Sequence, residues 1–143
     1  MAFEQDQLVE EIALSMFRVQ KRIISGMSLT KELGLTFPQF SLLTMISKRP
    51  GARVVQLAER MDVKSSAVTV MLDRMEAIGL VAREPDEHDR RAVVVNITTK
   101  GEQVLREGRE QLQTTLSEQL AILKPEELEL FASCYRMLER QER

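Results

Sequence analysis

The side chains of this sequence best suited to chemistry are cations and hydroxyls, gathered in two short clusters. Asp86-Glu87-His88-Asp89-Arg90-Arg91 is an unbroken run of charged or ionisable residues directly after Pro85. Lys64, Ser65, Ser66, Thr69, Val70, Asp73 and Arg74 form the second, at spacings that bring most of them to one helix face. An arginine extended from a tight turn suits the minor groove of DNA. Small hydroxyls and a valine on a helix suit base edges and thymine methyls in the major groove. Catalysis has no comparable support. One histidine, one cysteine and 6 glycines assemble no Ser/His/Asp set, Cys/His pair, phosphate-binding loop or metal cluster. No enzyme activity, cofactor or metal is therefore expected. For His88 to hold a metal, Asp86, Glu87 and Asp89 would have to converge on it from a turn.

These clusters need elements that position them, and the flanking pattern supplies them. Val54, Leu57, Ala58 and Met61 fall at i, i+3, i+4 and i+7, the stripe of a short amphipathic helix. Asp62-Val63-Lys64 is a tight connection, and Ser65 and Ser66 are candidate N-caps for a second helix over about residues 66–78. That helix buries Val68, Met71, Leu72 and Met75. It presents Ser65, Ser66, Thr69, Val70, Asp73 and Arg74 on its other face. Gly79 stands where a helix C-terminus turns left-handed. Residues 80–84 then read as a strand closed off by Pro85, and Val93, Val95 and Ile97 alternate with Ala92, Val94 and Asn96 as a second strand. Two short helices with a tight turn, followed by a basic-tipped hairpin, make a winged helix-turn-helix. The plain alternative is an α-hairpin whose polar face is only solvated.

Three stretches match a known pattern closely. They are Leu72-Asp73-Arg74-Met75-Glu76-Ala77-Ile78-Gly79-Leu80-Val81, the run Pro85 to Arg91, and Ile97-Thr98-Thr99-Lys100-Gly101. In them the chain resembles the MarR family of dimeric winged helix-turn-helix transcriptional regulators. His88 stands where the family usually has arginine, and Ile97 where it has leucine. The resemblance extends over essentially the whole chain. It implies a homodimer on double-stranded DNA, most simply a repressor released by a small lipophilic or anionic effector. Arg90 matches the family residue that enters the minor groove. Asp89 and Asp73 are expected to support the wing, and Arg91 either contacts DNA or joins an ion pair. Lys64 stands where some members place an acid that pairs with the arginine matching Arg91. A lysine cannot make that pair, so a phosphate contact is expected of it. The effector cleft implied by the family would draw on Met16, Phe17, Arg18 and Phe40, unless these are ordinary core. A second class of function also fits: a winged helix used to bind a protein partner without reading DNA sequence.

The ends of the chain read as helices. Leu8, Ile12, Met16, Val19, Ile23 and Met27 stripe a helix over about residues 6–27. Thr36-Phe37-Pro38-Gln39 is a capping-box start for a helix carrying Phe40, Leu43 and Ile46. Leu105, Leu112, Leu116, Leu120 and Leu123 run along a long helix over about 99–123, and Lys124-Pro125 restarts a last helix with Leu128, Phe131, Tyr135 and Leu138 on one side. Cys134 is expected on that apolar side, buried. The expected fold is mainly α, an α+β winged helix-turn-helix with a two- to three-stranded β-wing and long terminal helices forming a dimer interface. Residues 34–100 would form the DNA-binding lobe, and 1–33 with 101–143 the helical dimerisation lobe. A monomeric helical bundle would show the same stripes.

Composition sets limits. Hydrophobic residues make up 43% of the 143, but no run is long enough to cross a bilayer. The opening Met-Ala-Phe-Glu-Gln-Asp lacks signal-peptide order, and a single cysteine fits a reducing compartment, so a cytoplasmic protein is expected. The net charge of −2 is unhelpful for a DNA-binding chain. Residues 48–91 hold nine Lys/Arg against eight Asp/Glu. Positive charge must therefore be placed by geometry, with the acids turned away or paired.

Overall fold

Hydrogen-bonding side chains and left-handed residues at the turns decide where the helices begin and end. Thr36 accepts a bond from the Gln39 N–H (3.3 Å) while the Gln39 side chain accepts from the Thr36 N–H (3.0 Å). That capping box opens α2, Phe37–Lys48. The computed structural model describes residues 1–141. The remaining elements are α1 (Ala2–Gly26), a π-helical turn (Leu29–Leu33), β1 (Ala52–Arg53), α3 (Val54–Met61), α4 (Ser65–Ala77), β2 (Val81–Pro85), β3 (Val93–Ile97), α5 (Thr99–Leu120) and α6 (Pro125–Glu139). They fall into two compact units. One is Ser28–Gln111; the other joins Met1–Met27 to the chain from Leu112 onward.

In the Ser28–Gln111 unit the core is continuous. Leu35, Leu42, Leu43, Ile46, Leu57, Val68, Leu72, Met75, Leu80, Val81, Val95 and Leu105 are all buried, each burial stabilising by about 1.5–3 kcal/mol. The sheet order is β1-β3-β2, antiparallel throughout, with Val81 opposite Ile97 and Pro85 opposite Val93. β3 is thus the central strand. β1 adds a third strand, Ala52 opposite Val95, and Asn96 fixes its entry by accepting the Gly51 N–H at 2.8 Å.

The start of α4 departs from expectation. Asp62 adopts a left-handed φ of 55°, so the turn closes early and Lys64 becomes the N-cap. Ser65 and Ser66 are already inside the first turn, where neither is placed to cap it. Their hydroxyls remain on the exposed face. The end of α4 matches the pattern. Gly79 has φ 79°; its N–H bonds the Glu76 carbonyl and the Leu80 N–H bonds that of Met75, both at 2.9 Å. This is the paired hydrogen bonding of a Schellman stop.

The other unit carries its apolar residues outside. No residue of α1 or α6 is buried in the protomer. Leu8, Ile12, Met16, Phe131, Tyr135 and Leu138 are each about half exposed. Cys134 is exposed too, against the expectation of a buried core residue, because nothing in the protomer covers that side of α6. α1 starts at Ala2, four residues earlier than its stripe suggested. Inside this unit Thr115 is buried beneath Gly26, whose missing side chain leaves it room.

α5 is fastened to the end of α4 at its first turn. The Thr98 hydroxyl donates to the Gly79 carbonyl (2.6 Å), and the Lys100 ammonium donates to that of Ile78 (2.8 Å). Carbonyls left open at a helix C-terminus are thereby satisfied. A Cβ on Gly101 would collide with the Leu80 carbonyl and lie 2.8 Å from Ile97 Cγ1. Gly101→Ala is expected to cost about 1–3 kcal/mol by overpacking rigid backbone. Urea unfolding measures this, and an unchanged midpoint would show that the joint has slack.

Candidate nucleic-acid interface

α4 presents the small polar cluster outward. Val68, Leu72 and Met75 are buried and Met71 is half-buried, while Ser65, Ser66, Ala67, Thr69, Val70, Asp73 and Arg74 are exposed. Ser66, Val70 and Asp73 fall at i, i+4 and i+7, along the line opposite the buried stripe. Val70 is 59% exposed, a large apolar side chain held out in water on this face. The Thr69 hydroxyl donates back to the Ser65 carbonyl at 3.0 Å, so it retains only acceptor capacity towards a ligand. Lys64 is exposed at the helix N-terminus, beside the backbone N–H groups that attract phosphate.

The hairpin is tied down at its base and left free at its tip. Arg83, on β2, reaches across to α4, with Nη2 2.7 Å from Asp73 and Nε 2.8 Å from Glu76. Hydrogen bonds to Glu76 first and Asp73 second raise its pKa, so the guanidinium stays charged. On the other edge Arg53 Nη2 lies 2.8 Å from Asp86, whose carboxylate also accepts the His88 N–H at 3.0 Å. The His88 N–H, and after it Arg53, hold the Asp86 pKa below the usual carboxylate range. Asp89 accepts the Arg91 N–H at 3.1 Å, and its carbonyl accepts that of Ala92. Arg90 and Arg91 are exposed, and among the described residues neither forms an ion pair.

Asp73 and Asp89, the two residues expected to support the wing, act in different ways. Asp73 grips the base of the hairpin through Arg83 rather than its tip. Asp89 shapes the tip through backbone bonds. The bracing residues that no local pattern in the sequence singles out are Arg53, Glu76, Arg83 and Asp86. A less local signal for Arg83 does exist, because Asp73 and Glu76 stand at i, i+3 on one helix edge and Arg83 lies at the middle of the strand that follows the helix.

Of the candidate effector residues, Met16, Phe17 and Arg18 belong to one unit and Phe40 to the other. Phe17, 71% exposed, borders an open hollow of about 400 Å³ on α1 together with Gln20, Lys21, Ile24 and Ser25. Met16 is half exposed and Arg18 exposed, and neither lines that hollow. Phe40 is only 5% exposed, with its ring packed beside Gly108 in the place a Cβ would take. It is a core residue. Arg74 borders a second hollow of about 380 Å³ between residues 30–39 and the C-terminal half of α4.

No helix is long and apolar enough to cross a membrane, and among the described residues no three His, Cys, Asp or Glu are placed to hold a metal. A partly neutral helix face beside a basic-tipped, braced hairpin defines a winged helix-turn-helix transcriptional regulator. The comparisons give the family. The MarR family model matches residues 35–93. The HTH-type transcriptional repressor MdtR of Bacillus subtilis is 34% identical over 125 residues, which are 86% of this chain and 80% of that protein. Among solved structures, YusO from Bacillus subtilis is 30% identical with a TM-score of 0.75, covering 96% of this chain and 98% of that one. The transcriptional regulator BldR from Sulfolobus solfataricus is 36% identical with a TM-score of 0.73, covering 96% of each. The chain belongs to the MarR family and is a DNA-binding regulator, not an enzyme.

Arg83 is a positioning residue for the wing. Arg83→Met should leave the melting temperature nearly unchanged, since exposed ion pairs are worth at most about 1 kcal/mol. Because it frees the wing, it should also weaken binding to a selected duplex by about 10-fold, 1.4 kcal/mol. Fluorescence anisotropy at fixed salt measures this, and parental affinity in the variant would remove Arg83 from that role. The Asp86 pKa is lowered in the fold, so the stability of its tie is present above the ordinary carboxylate pKa. It is lost only as pH falls through the lower folded value. Asp86→Asn should accordingly have the same relative effect on binding anywhere between about pH 6 and 8.

Proposed function

We propose that this protein is a homodimeric repressor, acting in the cytoplasm, that is released from its operator by a small lipophilic or anionic effector. Its α4 enters the major groove and the hairpin 85–92 the adjacent minor groove of a pseudo-palindromic site. The observation that carries this reading is the braced hairpin with two unpaired arginines, Arg90 and Arg91, at its free end. A guanidinium on a rigid hairpin enters a narrow, strongly negative A·T groove without loss of much side-chain freedom. The repressor activity named for MdtR, and its similarity to this chain, favour repression over activation.

Roles follow from position. Lys64 meets phosphate at the start of α4, while Ser65, Ser66, Thr69 and Val70 meet base edges and Arg74 the flank of the groove. Arg90 enters the minor groove and Arg91 contacts its phosphate wall, with Asp73 and Asp89 holding the geometry. The half-exposed apolar side chains of α1 and α6 need a cover, and a second copy supplies one. Two-fold symmetry then sets the half-sites about 34 Å apart, one turn of DNA. The hollow beside Phe17 and Lys21, with Met16 and Arg18 on the same helix, is where an apolar anion would lodge.

Selection of bound sequences from random duplex DNA tests the reading at once, with a paired half-site motif expected. Binding to no duplex even at low salt, together with tight binding to a protein, would establish the interaction-module alternative. Arg90→Ala should keep fold and dimer yet flatten the slope of log K against log salt by about 2, one contact for each wing. An unchanged slope would exclude the minor-groove role. Removal of residues 124–143 should produce aggregation in size-exclusion chromatography, and a soluble monomer would overturn the proposed interface.

A further inference from the structure

We infer that α4 reads thymine through its 5-methyl group, with Val70 as the specificity-determining residue, so that the half-site carries a thymine whose methyl is part of the recognised surface. This rests on the DNA-binding reading above and deepens it by naming the base chemistry.

The groove-facing line of α4 lacks the groups that read other bases well. Bidentate recognition of guanine takes Arg or Lys, and of adenine Asn or Gln. Neither kind occurs at residues 65–70, which are Ser65, Ser66, Ala67, Val68, Thr69 and Val70. Arg74 lies a full turn beyond and to one side, bordering the hollow next to residues 30–39. Asp73, on the outward line itself, would repel phosphate and accept from cytosine, but Arg83 holds it at 2.7 Å. Thr69 has already used its donor on Ser65. What remains outward over the first two turns is the hydroxyls of Ser65 and Ser66, which can donate to or accept from any base, and the methyl groups of Ala67, Val70 and Thr69, with Val70 at 59% exposure the most prominent.

An exposed β-branched residue at the centre of a groove-facing helix gains nothing in the free protein. Against DNA it finds one apolar group on the major-groove edge, the thymine methyl. Covering a methyl of this size is worth about 0.8 kcal/mol, or about 4-fold in affinity. Two symmetric half-sites give roughly 15-fold. Valine has a single stiff side-chain torsion, so the contact costs little ordering.

The probe is a duplex selected by the parent protein, in which thymines are replaced by deoxyuridine one symmetric pair at a time. Deoxyuridine keeps base pairing and every hydrogen-bonding group and removes only the methyl. One pair within the half-sites should lose roughly 15-fold, while pairs outside them should change little. Val70→Ser should melt like the parent, given its exposure, bind the thymine duplex more weakly, and show no further loss on deoxyuridine. If no single pair matters to the parent, or if the deoxyuridine loss is as large in Val70→Ser, methyl reading by Val70 is overturned while DNA binding stands. If random duplex yields no selected sequence at all, the regulator reading and this inference fall together.

Discussion

Arg83 joins the hairpin to α4, and the fixed placement of one against the other depends on its reach. A hairpin of five-residue strands is marginal alone in water, and a tip that wanders would deliver its arginines to no fixed place. Here Arg83 of β2 is held to α4 through Asp73 and Glu76, and Asp86, just past the end of β2, to Arg53 of β1. Each pair alone is weak in free-energy terms. Together with the Schellman stop at Gly79 they fix an angle, which matters more to function than the stability they add. A helix and a hairpin locked at one angle present their side chains as a single rigid surface.

The same pairs explain how a chain of net charge −2 presents a basic surface. Asp73, Glu76 and Asp86 are each committed to an arginine, and the Asp89 carboxylate to the Arg91 N–H. These carboxylates would otherwise repel phosphate. The first three neutralise the exposed Arg53 and the half-buried Arg83, and Lys64, Arg74, Arg90 and Arg91 remain exposed. Binding by placed rather than massed charge keeps the sequence-independent share of affinity small, so base and shape contacts must supply the rest.

The unit containing α1 and α6 obeys a different logic. Its apolar stripes satisfy helix periodicity, yet the protomer leaves them half exposed. Exposed Cys134 belongs to the same situation. At Gly26 the Thr115 side chain, and at Gly108 the Phe40 ring, packs directly against a helix backbone within each unit.

Local chemistry was legible in the sequence wherever the cause lay within a few residues. The capping box at Thr36, the helix Val54–Met61, the stop at Gly79, the alternation of β3 and the bare arginine tip all depend on neighbours in the chain. The resemblance carried by residues 72–101 added the family. Three-dimensional structure decided whatever depends on contacts distant in sequence. β1 is two residues long, too short for any alternation to reveal, and exists because β3 offers a free edge. Ser65 and Ser66 have the right chemistry to cap α4, but the left-handed turn at Asp62 moves the helix start back by one residue. Arg53 and Arg83 look like any surface cations until folding sets a carboxylate opposite each. Periodicity told which face of a helix is apolar; only the packed chain told which of those faces are covered, because burial is a property of neighbours that a sequence does not list.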